Sequence, residues 1–204
     1  MAAPVVANIL YGPAVIWFKA VDSSFNPATL DNTGATSDLP SPWVRYGFTE
    51  GPTAFKYNRE EKSVMTNEHL SAVARFATME EGTFTFTLKE PNPGVFNMAA
   101  GLEYTTSVGA ASSGVPGFEQ FTVGGQPGLA EHMWCLSSTY RNAAGVALPV
   151  RLYIWRGTSR LTNQLAWERE ETPGMEVEVS ALVDINRQLS QRLFAYRKVT
   201  APAT

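Results

Sequence analysis

The chain has a single cysteine, Cys135, among 204 residues. That excludes an intrachain disulfide and a cysteine-rich zinc cage, and it fits a reducing compartment. Histidine is almost as scarce. His69 and His132 stand apart, with no H-x-x-x-H or H-E-x-x-H spacing. In the stretch HMWC, His132 and Cys135 would point to opposite faces of a strand, because successive side chains alternate. No metal site and no cofactor is expected. Lysine and arginine do not cluster either. Arg197-Lys198 is the nearest approach, and the net charge is −3, whereas a nucleic-acid grip calls for a basic patch. No apolar run approaches the roughly 20 residues of a membrane helix, so no membrane span is expected. The apolar start, MAAPVVANILYGPAVIWFKA, lacks a basic leader and is interrupted at Gly12-Pro13. It reads as a mature terminus carrying a buried strand.

Catalytic signatures are missing as well. There is no G-x-S-x-G elbow, no G-x-x-x-x-G-K-[ST], and no G-x-G-x-x-G in a strand-to-helix setting. A β-sandwich glycosidase would need two carboxylates across a cleft. Glu168 and Glu170 lie in a charged run before Thr172-Pro173-Gly174, where solvated charge is ordinary. Glu176 and Glu178 are only two residues apart on one strand. No catalytic residue is assigned, and the chain is not expected to be an enzyme. Five tryptophans, Trp17, Trp43, Trp134, Trp155 and Trp167, could stack sugars; as core residues they need no ligand.

What the sequence does contain is strand periodicity. Hydrophobic residues make up 44% of the chain, enough for a sizeable core, and 13 prolines and 16 glycines are spread as turn punctuation. TFTFTLKE (83–90) alternates Phe84, Phe86 and Leu88 against Thr83, Thr85 and Thr87. MEVEVSALV (175–183) alternates Met175, Val177 and Val179 against Glu176, Glu178 and Ser180. AVIWFK (14–19), VRYGF (44–48), VARFATME (73–80), and segments 118–123, 133–140, 148–155 and 160–168 are further strands, with Gly82 predicted as a turn. LPVRLYIW (148–155) is apolar on both faces and so is expected to be covered on both, by a helix, a sheet or a neighbouring subunit. RLFAYRKV (192–199) reads as a last strand, with an amphipathic helix through Ile185, Leu189 and Tyr196 as the alternative. NPGVFNMAAGL predicts one short helix at 93–101, with Asn92 capping, Pro93 in the first turn and Gly101 at the end. Segments 21–43 and 102–117 are rich in Ser, Thr, Asn, Gly and Pro and read as long loops. The expected architecture is a single mainly β domain over 1–204, an antiparallel sandwich or partial barrel.

One stretch is unusual. TEGPTAFKYNREEKSVMTNE (49–68) is a long ribbon with no clean apolar face. Ala54, Lys56, Asn58 and Glu60 share one side; Thr53, Phe55, Tyr57 and Arg59 share the other.

The order of these elements, VRYGFTEGPTAFKYNREEKSVMTNE followed by GTFTFTLKEPNPGVFNMAAGL, resembles the tail tube (major tail) proteins of long-tailed bacteriophages. MEVEVSALVD and RLFAYRKV resemble that fold's closing strands. The resemblance covers roughly residues 44–102 and more loosely 148–200. It implies two roughly orthogonal antiparallel sheets flanked by a helix. It also implies a structural virion protein, made in the host bacterial cytoplasm, whose hexameric rings stack into a hollow tube. The partners would be sister copies, a tape-measure protein, the tail terminator and the tail tip or baseplate. DNA would pass through the lumen without specific binding. On this basis Ala54, Lys56, Asn58 and Glu60 are the expected lumen-lining residues, in a wall whose summed field repels phosphate. Phe25, Leu30 and Asp31, in the 21–43 loop, are expected at the joint between rings. Removing residues 24–38 would then leave folded subunits that fail to polymerise. A carbohydrate-binding β-sandwich module and a β-sandwich glycosidase are the alternatives.

Overall fold

In the computed structural model, residues 10–31, 38–65, 73–89, 93–102, 107–125, 128–163 and 174–201 are described. They form a mainly β protein. The strands are β1 (Leu10–Ala20), β2 (Val44–Arg45), β3 (Thr49–Val64), β4 (Ala74–Leu88), β5 (Ser107–Gly109), β6 (Phe118–Gln120), β7 (Glu131–Arg141), β8 (Ala147–Leu161), β9 (Met175–Ala181) and β10 (Phe194–Lys198). The helices are α1 (Ala28–Asp31) and α2 (Pro93–Ala99).

All the pairings are antiparallel. The main sheet runs β2-β1-β7-β8-β9-β4-β3, with β10 also paired to β8; β5 and β6 form a separate two-stranded ribbon. The main sheet is one branched network rather than two detached sheets. The branch is possible because β8 is long. Its first half pairs with β10 through Val150–Ile154, and its end pairs with β9 through Gly157–Leu161.

Alternation along β8 explains the core. Leu152 and Ile154 point into a cluster with Ile16, Tyr46, Phe84, Phe86, Trp134, Val177 and Val179, closed by Val95, Phe96 and Met98 of α2. Tyr153 and Trp155 point the other way, into a second cluster with Trp17, Met133 and Cys135. The cover over that second face is the 21–43 segment, which contributes Leu30, Leu39, Trp43 and Phe25. The two-sided apolar strand expected from LPVRLYIW is therefore real, and its second cover comes from the same chain.

The sequence expectations shift in several places. Gly82 does not turn the chain. It sits within β4 opposite Tyr57, because its neighbours on both sides find ladder partners on β3. Within the expected 102–117 loop, Ser107–Gly109 forms β5, paired to β6; 103–106 lies outside the described residues. Segments 148–155 and 160–161 belong to one strand, while 164–168 lies outside the described residues. The C-terminal segment is strand β10, not a helix, preceded by a 3-10 turn at Leu189–Gln191. Helix α2 ends at Ala99. Gly101 N donates to Met98 O at 2.9 Å and Leu102 N to Asn97 O at 3.0 Å, the paired bonds of a Schellman cap, with Gly101 at φ +69°. Asn92, the expected cap at the other end, lies outside the described residues.

Candidate functional site: a polar sheet face and a projecting arm

The cross-strand register unites residues far apart in sequence. Ala54 faces Thr85, Lys56 faces Thr83 and Asn58 faces Glu81 between β3 and β4. Thr83, Thr85 and Thr87 in turn face Ser180, Glu178 and Glu176 of β9. Ser180 and Glu178 face Thr158 and Arg160 of β8. One side of the four-strand unit β3-β4-β9-β8 is thus a continuous field of Thr, Ser, Asn, Lys, Arg and Glu. The opposite side carries Phe84, Phe86, Leu88, Met175, Val177 and Val179, all buried. Period-2 alternation produces both faces at once.

Ion pairs tie the polar face across strands. Arg160 donates to Glu178 at 2.6 Å, Arg156 to Glu131 at 2.9 Å, and Lys89 lies 2.7 Å from Glu50. The Glu131 carboxylate holds the Arg156 guanidinium above its ordinary pKa. Glu60, Glu81 and Glu176 add further negative charge and Lys56 and Lys62 positive charge, so carboxylates outnumber cations on this face only slightly.

The four lumen-lining candidates, Ala54, Lys56, Asn58 and Glu60, are all exposed on β3. The opposite ribbon side splits along its length. Phe55 packs on Phe194 at 5.0 Å between ring centroids, as does Tyr57 at 5.4 Å. The Tyr57 hydroxyl donates to Glu80 at 2.8 Å, and that carboxylate raises the phenol's pKa. Beyond Tyr57 both sides open to solvent. Every residue from Asn58 to Val64 on β3 and from Ala74 to Glu81 on β4 is exposed. The hairpin therefore leaves the body as an arm about 23 Å long, at the rise of a strand. Among the described residues β4 is the only strand paired with β3, which leaves the other edge of this 16-residue strand without a strand partner.

The ring-joint candidates behave differently. Phe25 stacks edge-on against Trp43 at 5.6 Å and lies 5.7 Å from Tyr153. Leu30 is 5% exposed, and its carbonyl accepts from the buried Arg151 at 3.2 Å. Asp31 is the last residue of α1. The segment is pinned further by Arg187, which donates to Asp22 O and Phe25 O at 3.0 and 3.1 Å, and by Ser23 on Asp184 at 3.1 Å. Phe25 and Leu30 thus turn into their own chain, because the second face of β8 needs cover. Removal of 24–38 is now expected to strip a core rather than leave a folded subunit.

Four tryptophans, Trp17, Trp43, Trp134 and Trp155, are buried; Trp167 and His69 lie outside the described residues, as do Glu168 and Glu170. Cys135 is fully buried, and burial pushes its thiol pKa far up. Among the described residues no group of three or more His, Cys, Asp or Glu side chains could hold a metal ion, and no helix is long and apolar enough to cross a membrane. No protein-family model matches the chain, and no curated protein is significantly similar to it.

Sequence reasoning did not join the Thr row of β4, the Glu pair of β9 and Arg160 into one surface. The signal was present as the polar half of each alternation; the pairing register that merges them was not.

Proposed function

We propose that this chain is a structural subunit that assembles with copies of itself into a tube, the tail tube of a long-tailed bacteriophage. The polar face of β3-β4-β9-β8 lines the lumen. The carrying observation is the coincidence of that continuous, mildly acidic face with an unpaired edge strand of 16 residues on the same unit. A long open edge is an aggregation hazard in a solitary protein; closure through sister copies removes it. A Thr-rich wall with excess carboxylate repels phosphate and offers DNA no basic foothold. In this reading copies form six-membered rings stacked around a tape-measure protein, and the tube later conducts the genome. The role is architectural, not catalytic.

A sugar-binding module is less well supported, because four of the five tryptophans are enclosed in the core. A glycosidase is less well supported because Glu178 is paired to Arg160 on an open sheet face. The test is negative-stain electron microscopy of the purified chain across a concentration series. Hollow, evenly striated tubes are expected. A monomer at all concentrations that binds a glycan would overturn the proposal.

A further inference from the structure

The segment 182–193, which joins β9 to β10, is built as a flap. It leaves β8 and returns to it at adjacent residues: Leu182 N donates to Arg156 O at 2.7 Å, and Leu193 O accepts from Trp155 N at 3.5 Å. Across its mouth Asp184 N donates to Arg192 O at 3.0 Å. The Arg192 side chain donates to Arg187 O at 3.0 Å and to Ile185 O at 3.3 Å. A loop tied this way is stiff within itself and pivots about its narrow base. Apolar burial does not fix its angle, because among residues 183–191 only Asp184 is buried.

One polar joint sets that angle instead. The Asp184 carboxylate accepts from Ser23 Oγ and from Asn186 N, both at 3.1 Å, and lies 3.3 Å from Arg187 Nε. The Arg187 guanidinium stacks 3.8 Å from the centre of the Trp155 ring and grips the Asp22 and Phe25 carbonyls. Those carbonyls belong to the two ends of a turn that Phe25 N closes on Asp22 O at 3.2 Å. The Phe25 ring seats the turn on Trp43 and Tyr153. Asp184 and Arg187 are both largely shielded from water, and a shielded charge that loses its partner is strongly disfavoured. The joint is therefore made or broken as a whole. The outer side of the same flap forms one wall of a groove of about 630 Å³, with Val183, Leu189 and Ser190 on the flap and Ala77, Met79 and Glu80 on the arm opposite. We infer that the flap is a relay: the turn at 22–25, seated on the second face of β8, sets the width of the groove through the Asp184–Arg187 joint. Lifting the turn frees the flap, and filling the groove holds the turn down, because such coupling is reciprocal. The relay acts within one chain and does not depend on the tube reading.

The test reads the groove directly. Ala77→Cys and Ser190→Cys place spin labels on its opposite walls at exposed positions, and the buried Cys135 takes no label. Labelled chains are diluted into unlabelled ones, so that pulsed electron resonance reports only distances within a chain. The doubly labelled but otherwise unaltered chain should give one narrow distance distribution. Arg187→Gln at the joint and Phe25→Ala on the turn should each add a second, longer population. Tyr140→Phe, which loses its bond to Val199 O in the separate cluster of Tyr140, Leu148 and Val150, should leave the distribution unchanged. Near-ultraviolet circular dichroism reports folding. Ser23→Ala deletes a single bond of the joint and carries the same prediction, in milder form, where a stronger variant does not fold. The relay is overturned by an unchanged distance in every folded joint and turn variant, or by an equal response from Tyr140→Phe. It is overturned as well by a response to Arg187→Gln with none to a folded turn variant, or by a distribution already broad without any joint or turn substitution.

Discussion

Replacing Leu30 with alanine tests whether the 21–43 segment is core or ornament. Leu30 is 5% exposed and sits with Trp17, Trp43, Tyr153 and Trp155. Truncation there leaves a void among rigid aromatics that cannot collapse to fill it. The expected loss is about 2–5 kcal/mol, the range for buried leucine truncations. It sits against a total stability of about 5–15 kcal/mol for a typical domain. For a chain of this size a 3 kcal/mol loss lowers the melting temperature by about 6–12 °C. The backbone carbonyl that Arg151 uses remains in the variant, so the effect isolates packing from hydrogen bonding. Urea denaturation followed by tryptophan fluorescence reads it directly, since four tryptophans are buried. A loss under about 1 kcal/mol would refute the reasoning, because it would mean that Leu30 contributes no enclosed apolar surface.

Two further substitutions probe local physics. Asp22 accepts from Ser24 at 2.7 Å and from Lys19 at 2.9 Å, and these bonds lower its pKa from 3.8 to about 2. The folded carboxylate is therefore favoured above the unfolded pKa, and its contribution disappears as pH falls from about 4 through about 2. Asp22→Asn should flatten stability over that window; an unchanged acid limb in chemical denaturation would contradict it. Gly101→Ala should cost more than about 2 kcal/mol, because φ is +69° and the new Cβ would lie 2.2 Å from Ser159 O. Gly51→Ala, at φ +72° in open space, should cost only about 1 kcal/mol. Equal melting temperatures for the two variants would contradict the clash.

The alternation of TFTFTLKE and MEVEVSALV made the buried faces of β4 and β9 legible, since one face of each strand is uniformly apolar and period 2 leaves no other arrangement. Pro93 and Gly101 marked the short helix for the same local reason: each residue type suits one end. The role of 21–43 was not legible. Phe25, Leu30 and Leu39 are isolated apolar residues in a polar, turn-rich stretch, and nothing local says whether they serve a sister copy or their own sheet. Gly82 misled because glycine in a strand interior and glycine in a turn look alike until the partners of Glu81 and Thr83 are known. The polar face needed register, which is a property of pairs of strands.

The central claim is that the polar face of β3-β4-β9-β8 becomes the inside wall of a tube. Lys56→Cys places a thiol on that face while Cys135 stays buried and unreactive, and Glu119→Cys places one on the exposed β5-β6 ribbon. Assembled protein should then be treated with a small maleimide and with a polymer-linked maleimide too bulky to enter a channel. The account predicts that the small reagent labels both cysteines, whereas the bulky one labels Glu119→Cys and spares Lys56→Cys until the assembly is dissociated. Equal labelling of both sites by the bulky reagent in intact assemblies would contradict it.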